Sequence, residues 1–309
     1  MHIILAKPRG FCAGVERAIH SVERALELFG EPVYVLNHIV HNTHVVESLK
    51  RQGAIFVRNI EEVPENAILL FSAHGVGPEQ WEKAKEKKLN IIDATCPLVQ
   101  RVHHLAKKYA EQGYTILLIG DAGHDETIGT MGWAKRNVFL VQNIHDAETI
   151  DIPETQHIAY ITQTTLSVED CKKIVDILYR RFPHLQSPSR GNICYATTNR
   201  QKAVLSLSEK ADIVIVVGDS ESANSRRLAE IAKSAGKIAY LVLDASEIHS
   251  EWLNGVKTIL ITSGASVPEK HVQGVIQFLS SIETCSIEEI CVALENVHFE
   301  LPKEVRDTH

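Results

Sequence analysis

The sequence predicts an α/β protein made of three similar units that face one central cavity. Short apolar runs alternate with amphipathic stretches, a cysteine precedes a helical pattern three times, and six polar loops follow apolar runs or lie close to them. Strands that alternate with helices indicate parallel sheets covered by helices. Because ligands bind at the carboxyl ends of parallel strands, we expect the polar loops to line the cavity.

Nine short apolar runs are predicted to be strands. They cover residues 3–6, 33–36, 67–71, 90–93, 115–119, 158–161, 213–217, 238–243 and 258–261. Helical periodicity predicts helices over 15–29, 98–109 and 167–182, and Gly30 and Gly113 suit left-handed ends for the first two. The alternation continues along the chain without a low-complexity linker.

The predicted units have boundaries that follow the cysteines. The first unit covers 14–96 and the second covers 97–190, whereas the third combines 1–13 with 191–280. The remaining segment, 281–309, is acidic and less regular, and we expect it to wrap the body as a C-terminal tail.

Length and composition fit a globular protein of several compact units. Of the 309 residues, 44% are hydrophobic and 23% are charged, enough to build a sizeable core. Acidic residues outnumber basic ones by 39 to 32, which argues against a nucleic-acid-binding surface. The sequence has no run near the roughly 20 apolar residues of a membrane span, and no signal-peptide pattern. We therefore expect a cytoplasmic protein without nucleic-acid or membrane partners.

Three cysteines share one local context. Cys12, Cys96 and Cys194 each stand just before a helical pattern, where the helix dipole favours a thiolate. Their spacings match no compact zinc or ferredoxin motif, so buried, inert thiols are an alternative. As ligands, they suit either zinc held with one histidine or an iron–sulfur cluster with one open iron. Cys171 lies in a predicted helix, where packing is its expected role.

Nine sequence stretches resemble one known family. They are PRGFCAGVERAI, VHN, FSAHGV, DATCPLV, GHDE, TQTTLS, ICYATTNRQ, ANSRRLAE and GAS, in this order over roughly residues 1–305. The chain resembles the 4-hydroxy-3-methylbut-2-enyl diphosphate reductases, the LytB-type iron–sulfur enzymes of isoprenoid biosynthesis.

The resemblance implies a fold, a cofactor and a reaction. The fold would be a trefoil of three α/β units around one 4Fe–4S cluster per chain, held by Cys12, Cys96 and Cys194. The reaction would remove an allylic hydroxyl group as water and give isopentenyl and dimethylallyl diphosphate, the last step of the non-mevalonate pathway. Ferredoxin or flavodoxin would supply the electrons.

The resemblance also implies roles for residues in the polar loops. The diphosphate pocket carries over to His41, His74, His124, Ser222, Asn224 and Ser266. Glu126 would donate the proton as a catalytic residue, together with His124 and Thr164, and Thr164 and the adjacent Thr165 would also bind the substrate. Many relatives have a serine where this chain has Ala223, so only its backbone N–H can bind substrate here. For either threonine, the alternative role is the N-cap of the helix over 167–182.

Three other functions share some of these features. A lyase of the quinolinate-synthase type would use the same number of cysteines but would need loops that bind carboxylates. An iron–sulfur redox sensor would need no convergent polar loops. A zinc-binding structural protein would be colourless, whereas an iron–sulfur protein is brown.

Overall fold

The computed structural model describes residues 1–135, 137–153 and 157–306. The end of the predicted tail, residues 307–309, lies outside these ranges. The strands within them are β1 (His2–Lys7), β2 (Val33–Leu36), β3 (Ala54–Val57), β4 (Ile68–Phe71), β5 (Asn90–Asp93), β6 (Thr115–Ile119), β7 (Val138–Val141), β8 (Ile158–Thr162), β9 (Ile213–Val217), β10 (Ile238–Val242), β11 (Thr258–Ser263) and β12 (Ser286–Cys291).

The α-helices of the described ranges follow or separate these strands. They are α1 (Ala13–Phe29), α2 (Thr43–Arg51), α3 (Pro78–Glu86), α4 (Pro97–Glu111), α5 (Asp125–Ala134), α6 (Ile144–Thr149), α7 (Val168–Arg181), α8 (Tyr195–Ser208), α9 (Ala223–Ser234) and α10 (Glu269–Ile282). None of these helices has the length and apolar character that a membrane span requires.

The chain packs into two compact units. The five-stranded unit comprises residues 1–13, 41–45 and 195–298, and the two-sheet unit comprises the described residues of 14–40, 46–194 and 299–306. The predicted boundaries of three units stay a prediction.

The five-stranded unit contains one parallel sheet with the strand order β10-β9-β11-β1-β12. Alternate strand residues point to opposite faces, so Ile3 and Ile4 enter two different cores. Helix α10 covers the first core, and helices α8 and α9 cover the second. Both faces are apolar, as buried parallel strands require.

The two-sheet unit contains two smaller parallel sheets, ordered β3-β2-β4-β5 and β7-β6-β8. Leu69 and Phe71 of β4 lie in the core of the first sheet. In the second sheet, Leu117 packs with residues of α7 on one face, and Ile116 packs with residues of α4 on the other. The α/β class with small parallel sheets is thereby confirmed.

The predicted strands and helices agree with the structure. All nine predicted strands are present within two residues at each end, and so are the three predicted helices. Gly30 and Gly113 have φ of +75° and +77°, as the predicted helix ends require. Ser167 caps α7 by accepting a hydrogen bond from the Asp170 N–H, so neither Thr164 nor Thr165 is that cap.

Three strands were not predicted: β3, β7 and β12. The first two have four residues each and are only partly buried, which leaves a weak sequence signal. Strand β12 reads SIEEIC, is mostly exposed, and pairs with β1 at the edge of the sheet. Part of the acidic tail therefore forms regular structure, because main-chain hydrogen bonding to β1 does not depend on apolar side chains.

Candidate active site

A buried carboxyl group lies beside Thr164 in the two-sheet unit. Glu126, in the first turn of α5, is only 2% exposed. Its Oε1 accepts a hydrogen bond of 2.7 Å from the Thr164 N–H, and its Oε2 accepts one of 2.8 Å from the Thr164 hydroxyl. The two residues meet because they follow β6 and β8, neighbouring parallel strands whose carboxyl ends share one edge of the sheet.

Burial changes the acidity of Glu126. Desolvation, with a smaller contribution from the charge of Asp121, raises the pKa of this carboxyl group from 4.5 to about 7. The two hydrogen bonds from Thr164 lower this pKa and so act in the opposite direction. A carboxyl group with such a pKa still carries a proton near neutral pH and can act as a general acid.

His74 and His124 lie next to each other in the same unit. Their ring centroids are 5.5 Å apart and their planes form an angle of 89°. His124 is the N-cap of α5, and its Nδ1 accepts a hydrogen bond of 3.2 Å from the Glu126 N–H. The proton of the neutral ring is therefore assigned to Nε2. Two imidazoles beside a helix N-terminus are suited to binding an anion.

Two of the predicted ligand cysteines connect to these residues through the backbone. The Cys194 N–H donates a hydrogen bond of 3.0 Å to the carbonyl of Thr164. The Cys96 N–H donates one of 3.0 Å to the carbonyl of Ala73, which precedes His74. The two-sheet unit thus places Cys194 next to the Glu126–Thr164 pair and Cys96 next to the His74 loop.

Arg17 is a buried residue near Cys96 that the sequence analysis missed. Its side chain, only 8% exposed, donates hydrogen bonds to the carbonyls of Thr95 and Asp93. Burial lowers the pKa of Arg17, while the charges of Asp93 and Cys96 raise it. A cation close to a cysteine favours the thiolate, which is the form that binds metals. The arginine of PRGFCAGVER that follows Cys12 by five residues was a possible signal.

The loop over residues 264–266 connects the predicted site residues of the five-stranded unit. The Cys12 N–H donates a hydrogen bond of 3.1 Å to the carbonyl of Ala265. The Ser266 hydroxyl donates one of 3.0 Å to the carbonyl of His41. Cys12, His41 and Ser266, which are distant in sequence, therefore meet at one loop after β11.

Asn224 presents a buried amide group to the same loop. Its Oδ1 accepts a hydrogen bond of 3.5 Å from the Thr197 hydroxyl, whereas its Nδ2 is buried and has no hydrogen-bond partner among the described residues. A Cβ added at Gly264 would lie 3.5 Å from this Nδ2, which places the amide beside the 264–266 loop. A buried donor without a partner costs free energy unless a ligand accepts its hydrogen bond.

Serine residues surround Asn224 at the start of α9. Ser222 is the N-cap of this helix and accepts a hydrogen bond from the Ser225 N–H. Ala223 is the first helical residue, so its N–H lies among those that lack an intrahelical acceptor. Ser225 fits only because Gly218 and Gly264 have no Cβ, which would lie 2.4 and 2.0 Å from its Oγ.

Thr165 and Asp219 each accept hydrogen bonds from a residue that lies close in sequence to a predicted site residue. The Thr165 hydroxyl accepts a hydrogen bond of 2.9 Å from the Gln163 amide. The Asp219 carboxylate accepts hydrogen bonds from the N–H and the hydroxyl of Thr43, two residues after His41. Burial raises the pKa of Asp219, but the hydrogen bonds from Glu221 and Thr43 together have the larger effect. The pKa of this carboxyl group therefore lies below its usual value. Asp219 was missed, although it follows β9 as the predicted loop residues do.

The three candidate ligand cysteines have the chemical properties that an iron–sulfur cluster requires of its ligands. All six cysteines of the chain lie in the described ranges and form no disulfide. Cys12, Cys96 and Cys194 are half-buried and directly precede α1, α4 and α8. In contrast, Cys171 lies in a hydrophobic core, and burial raises the pKa of its thiol to about 11. The first three suit metal ligation, and Cys171 does not.

Comparison with known proteins identifies close relatives over the whole chain. The family model described as LytB protein matches residues 3–280. The 4-hydroxy-3-methylbut-2-enyl diphosphate reductases of Acidothermus cellulolyticus and Protochlamydia amoebophila are 51% and 49% identical, over 98% and 99% of this chain and 90% and 97% of their own. The solved E-1-hydroxy-2-methyl-but-2-enyl-4-diphosphate reductase from Plasmodium falciparum is 41% identical, with a TM-score of 0.95 over 98% of this chain and 96% of that chain.

Proposed function

This chain belongs to the LytB protein family, and we propose that it reduces (E)-4-hydroxy-3-methylbut-2-enyl diphosphate to isopentenyl and dimethylallyl diphosphate. This reaction is the last step of the non-mevalonate isoprenoid pathway. It consumes two electrons and two protons and releases the allylic hydroxyl group as water. The observation that carries the proposal is the buried Glu126–Thr164 pair, which adjoins Cys194 and can supply a proton.

Cys12, Cys96 and Cys194 are the proposed ligands of one 4Fe–4S cluster per chain. Their reduced thiols and their positions before helices support this role. When bound, such a cluster supplies the electrons, received from ferredoxin or flavodoxin, and a Lewis-acidic iron. The cytoplasm, where thiols stay reduced, suits this cofactor.

The proposed diphosphate ligands are His41, His74, His124, Ser222, Asn224 and Ser266, together with the Ala223 N–H. Thr164 and Thr165 are proposed to contact the substrate as well. The buried Nδ2 of Asn224 supports this proposal, since an anionic oxygen would satisfy it. The N-terminus of α9 and the imidazoles of His74 and His124 add donors for negative charge. Holding the diphosphate fixes the hydroxyl end of the substrate, and such positioning contributes several kcal/mol, on the order of 7–11 in the best cases, to lowering the barrier.

Glu126 is the proposed proton donor for the departing hydroxyl group. Its pKa of about 7 keeps part of the population protonated at neutral pH. Thr164 holds both carboxyl oxygens, which fixes the orientation of the acid. The adjacent His124 accepts from the Glu126 N–H and so positions the same helical turn.

The proposed function is tested by replacing the cysteines one at a time. We expect Cys12→Ser, Cys96→Ser and Cys194→Ser to lose bound iron and sulfide and the brown colour after anaerobic purification. Turnover of the hydroxylated allylic diphosphate with a chemical reductant should disappear with them. The control Cys171→Ser, in the hydrophobic core, should keep the cluster and activity. Full iron content in all three ligand variants would contradict the cluster assignment, and electron uptake without substrate consumption in the wild type would instead indicate a redox sensor.

A second prediction concerns the pH dependence of kcat/KM. If protonated Glu126 is the active form, kcat/KM falls as the pH rises through its pKa, near pH 7 in the free enzyme. Thr164→Val removes one hydrogen bond that stabilises the carboxylate, so the pKa should rise and the alkaline limb should move to higher pH. Thr127→Val is the matched control, because the Thr127 hydroxyl, buried like that of Thr164, donates its hydrogen bond to the Gln163 Oε1 and not to Glu126. An alkaline limb that stays in place or moves to lower pH in Thr164→Val would exclude this role.

A further inference from the structure

Three potential metal ligands meet in the five-stranded unit, apart from the residues assigned above. His44 lies in the first turn of α2, and His271 lies in the first turn of α10. Asp244 follows β10 and caps the short 3₁₀ helix Ala245–Glu247. One ligand atom from each of the three side chains lies within 4.8 Å of the other two.

The three side chains already contact one another. The His44 Nε2 is 2.8 Å from the Asp244 Oδ2, and the rings of His44 and His271 stack with centroids 4.0 Å apart. The His44 and Asp244 side chains are 32% and 26% exposed, so an ion can reach them from solvent. The His271 Nε2 is buried and has no hydrogen-bond partner within the described ranges.

The protonation of Asp244 and His271 suits the binding of a cation. Hydrogen bonds from Ser246, and in addition from His44, lower the pKa of Asp244, so its carboxylate is charged at neutral pH. Burial lowers the pKa of His271, as do the charges of His44 and Lys270, so its imidazole is neutral there. A charged carboxylate and a neutral imidazole are the ligand forms of these groups. Lys270 opposes a cation, but its side chain is exposed and therefore screened by solvent.

We propose that His44, Asp244 and His271 bind one divalent transition-metal ion of the zinc type. Two imidazoles and one carboxylate suit zinc rather than magnesium or calcium, which prefer oxygen ligands. The planes of the stacked rings form an angle of only 12°, so their lone pairs do not point at one position. One ring must therefore turn on binding, and His44, about one-third exposed, has room to do so.

The test uses the anaerobically purified, cluster-loaded protein and Zn²⁺ alone. Isothermal titration should give one added Zn²⁺ per chain. Zinc-edge X-ray absorption should show only nitrogen and oxygen ligands at about 2.0–2.2 Å, without the sulfur shell at about 2.3 Å that cysteine would add. Because this measurement reads the zinc atom itself, the result does not depend on enzyme activity or on the proposed function.

Variants of His44, Asp244 and His271 decide whether these residues bind the ion. His44→Gln and His271→Gln should each weaken Zn²⁺ binding by more than the roughly 10- to 100-fold that losing an outer-shell partner costs. Asp244→Asn keeps an oxygen for the 3₁₀ cap and should weaken binding as well. His249→Gln removes an exposed histidine five residues after Asp244 and should leave the affinity unchanged. Unchanged affinity in the two histidine variants, no Zn²⁺ uptake by the wild type, or a sulfur shell would each overturn the proposal.

Discussion

Replacing Glu126 with glutamine is expected to lower turnover by roughly 100- to 10,000-fold, the usual contribution of a general acid. Glutamine keeps the shape of the side chain and an oxygen that can accept from Thr164, but it has no acidic proton. Iron content and substrate affinity should therefore stay close to those of the wild type. Anaerobic assays at saturating substrate measure the loss, and the exposed Glu148→Gln serves as the matched control.

The unfolding temperature, measured as a function of pH, shows whether the Glu126→Gln variant is folded. Since the pKa of Glu126 is raised on folding from 4.5 to about 7, the native state binds more protons than the unfolded state between these values. Glu126 therefore makes the wild type less stable as the pH rises through this range, and Glu126→Gln should lack this part of the pH dependence. Above pH 7 the variant should unfold at the same temperature as the wild type or at a higher one. Near-normal turnover in a folded variant would remove Glu126 from the mechanism.

The second large effect is expected from Glu295→Ala, which should lower the free energy of unfolding by roughly 3–5 kcal/mol. Arg200 has no exposed surface, and Glu295 is its charged partner, with an N–O distance of 3.1 Å. Without Glu295, the guanidinium group would keep, among the described residues, the carbonyls of Ala196 and Gly10 as acceptors. Gly10 lies two residues before Cys12, so iron content should fall as well. Anaerobic urea unfolding measures the change.

Two further variants separate the buried charge from a general loss of contacts. The double variant Arg200→Met with Glu295→Leu removes both charges and should recover most of the lost stability, because apolar side chains of similar size replace a buried ion pair well. Glu230→Ala breaks an exposed pair with Arg227 and should change stability by about 1 kcal/mol or less. If Glu295→Ala also lowered the free energy of unfolding by only about 1 kcal/mol or less, the buried charge of Arg200 would not require Glu295 as its partner.

Local sequence patterns predicted the regular elements well. The apolar runs over 115–119 and 213–217 form strands with the predicted bounds, because buried parallel strands need continuous apolar residues. Strand β12 was missed because its exposed, acidic side chains carry no such signal. The motif resemblance is confirmed by the match of the LytB family model and by relatives near 50% identity.

Long-range partners could not be read from local patterns. Arg17 contacts the carbonyl of Thr95, and Arg200 contacts that of Gly10, across 78 and 190 positions of the chain. The cluster of His44, Asp244 and His271 draws on three separate elements, none of which has a metal-binding motif by itself. The sequence alone does not distinguish a solvated histidine from one that packs against another ring.

By itself, the sequence determined nine strands, three helices, the family, and the residue types that can do the chemistry. Only the tertiary structure decided that Glu126 is buried against Thr164, that Cys194 adjoins this pair, and that Asn224 faces the loop over 264–266. The physical reason is that periodicity and motifs depend on neighbouring residues. The pKa of a carboxyl group and the satisfaction of an amide depend instead on desolvation and on partners that chain folding brings from far away.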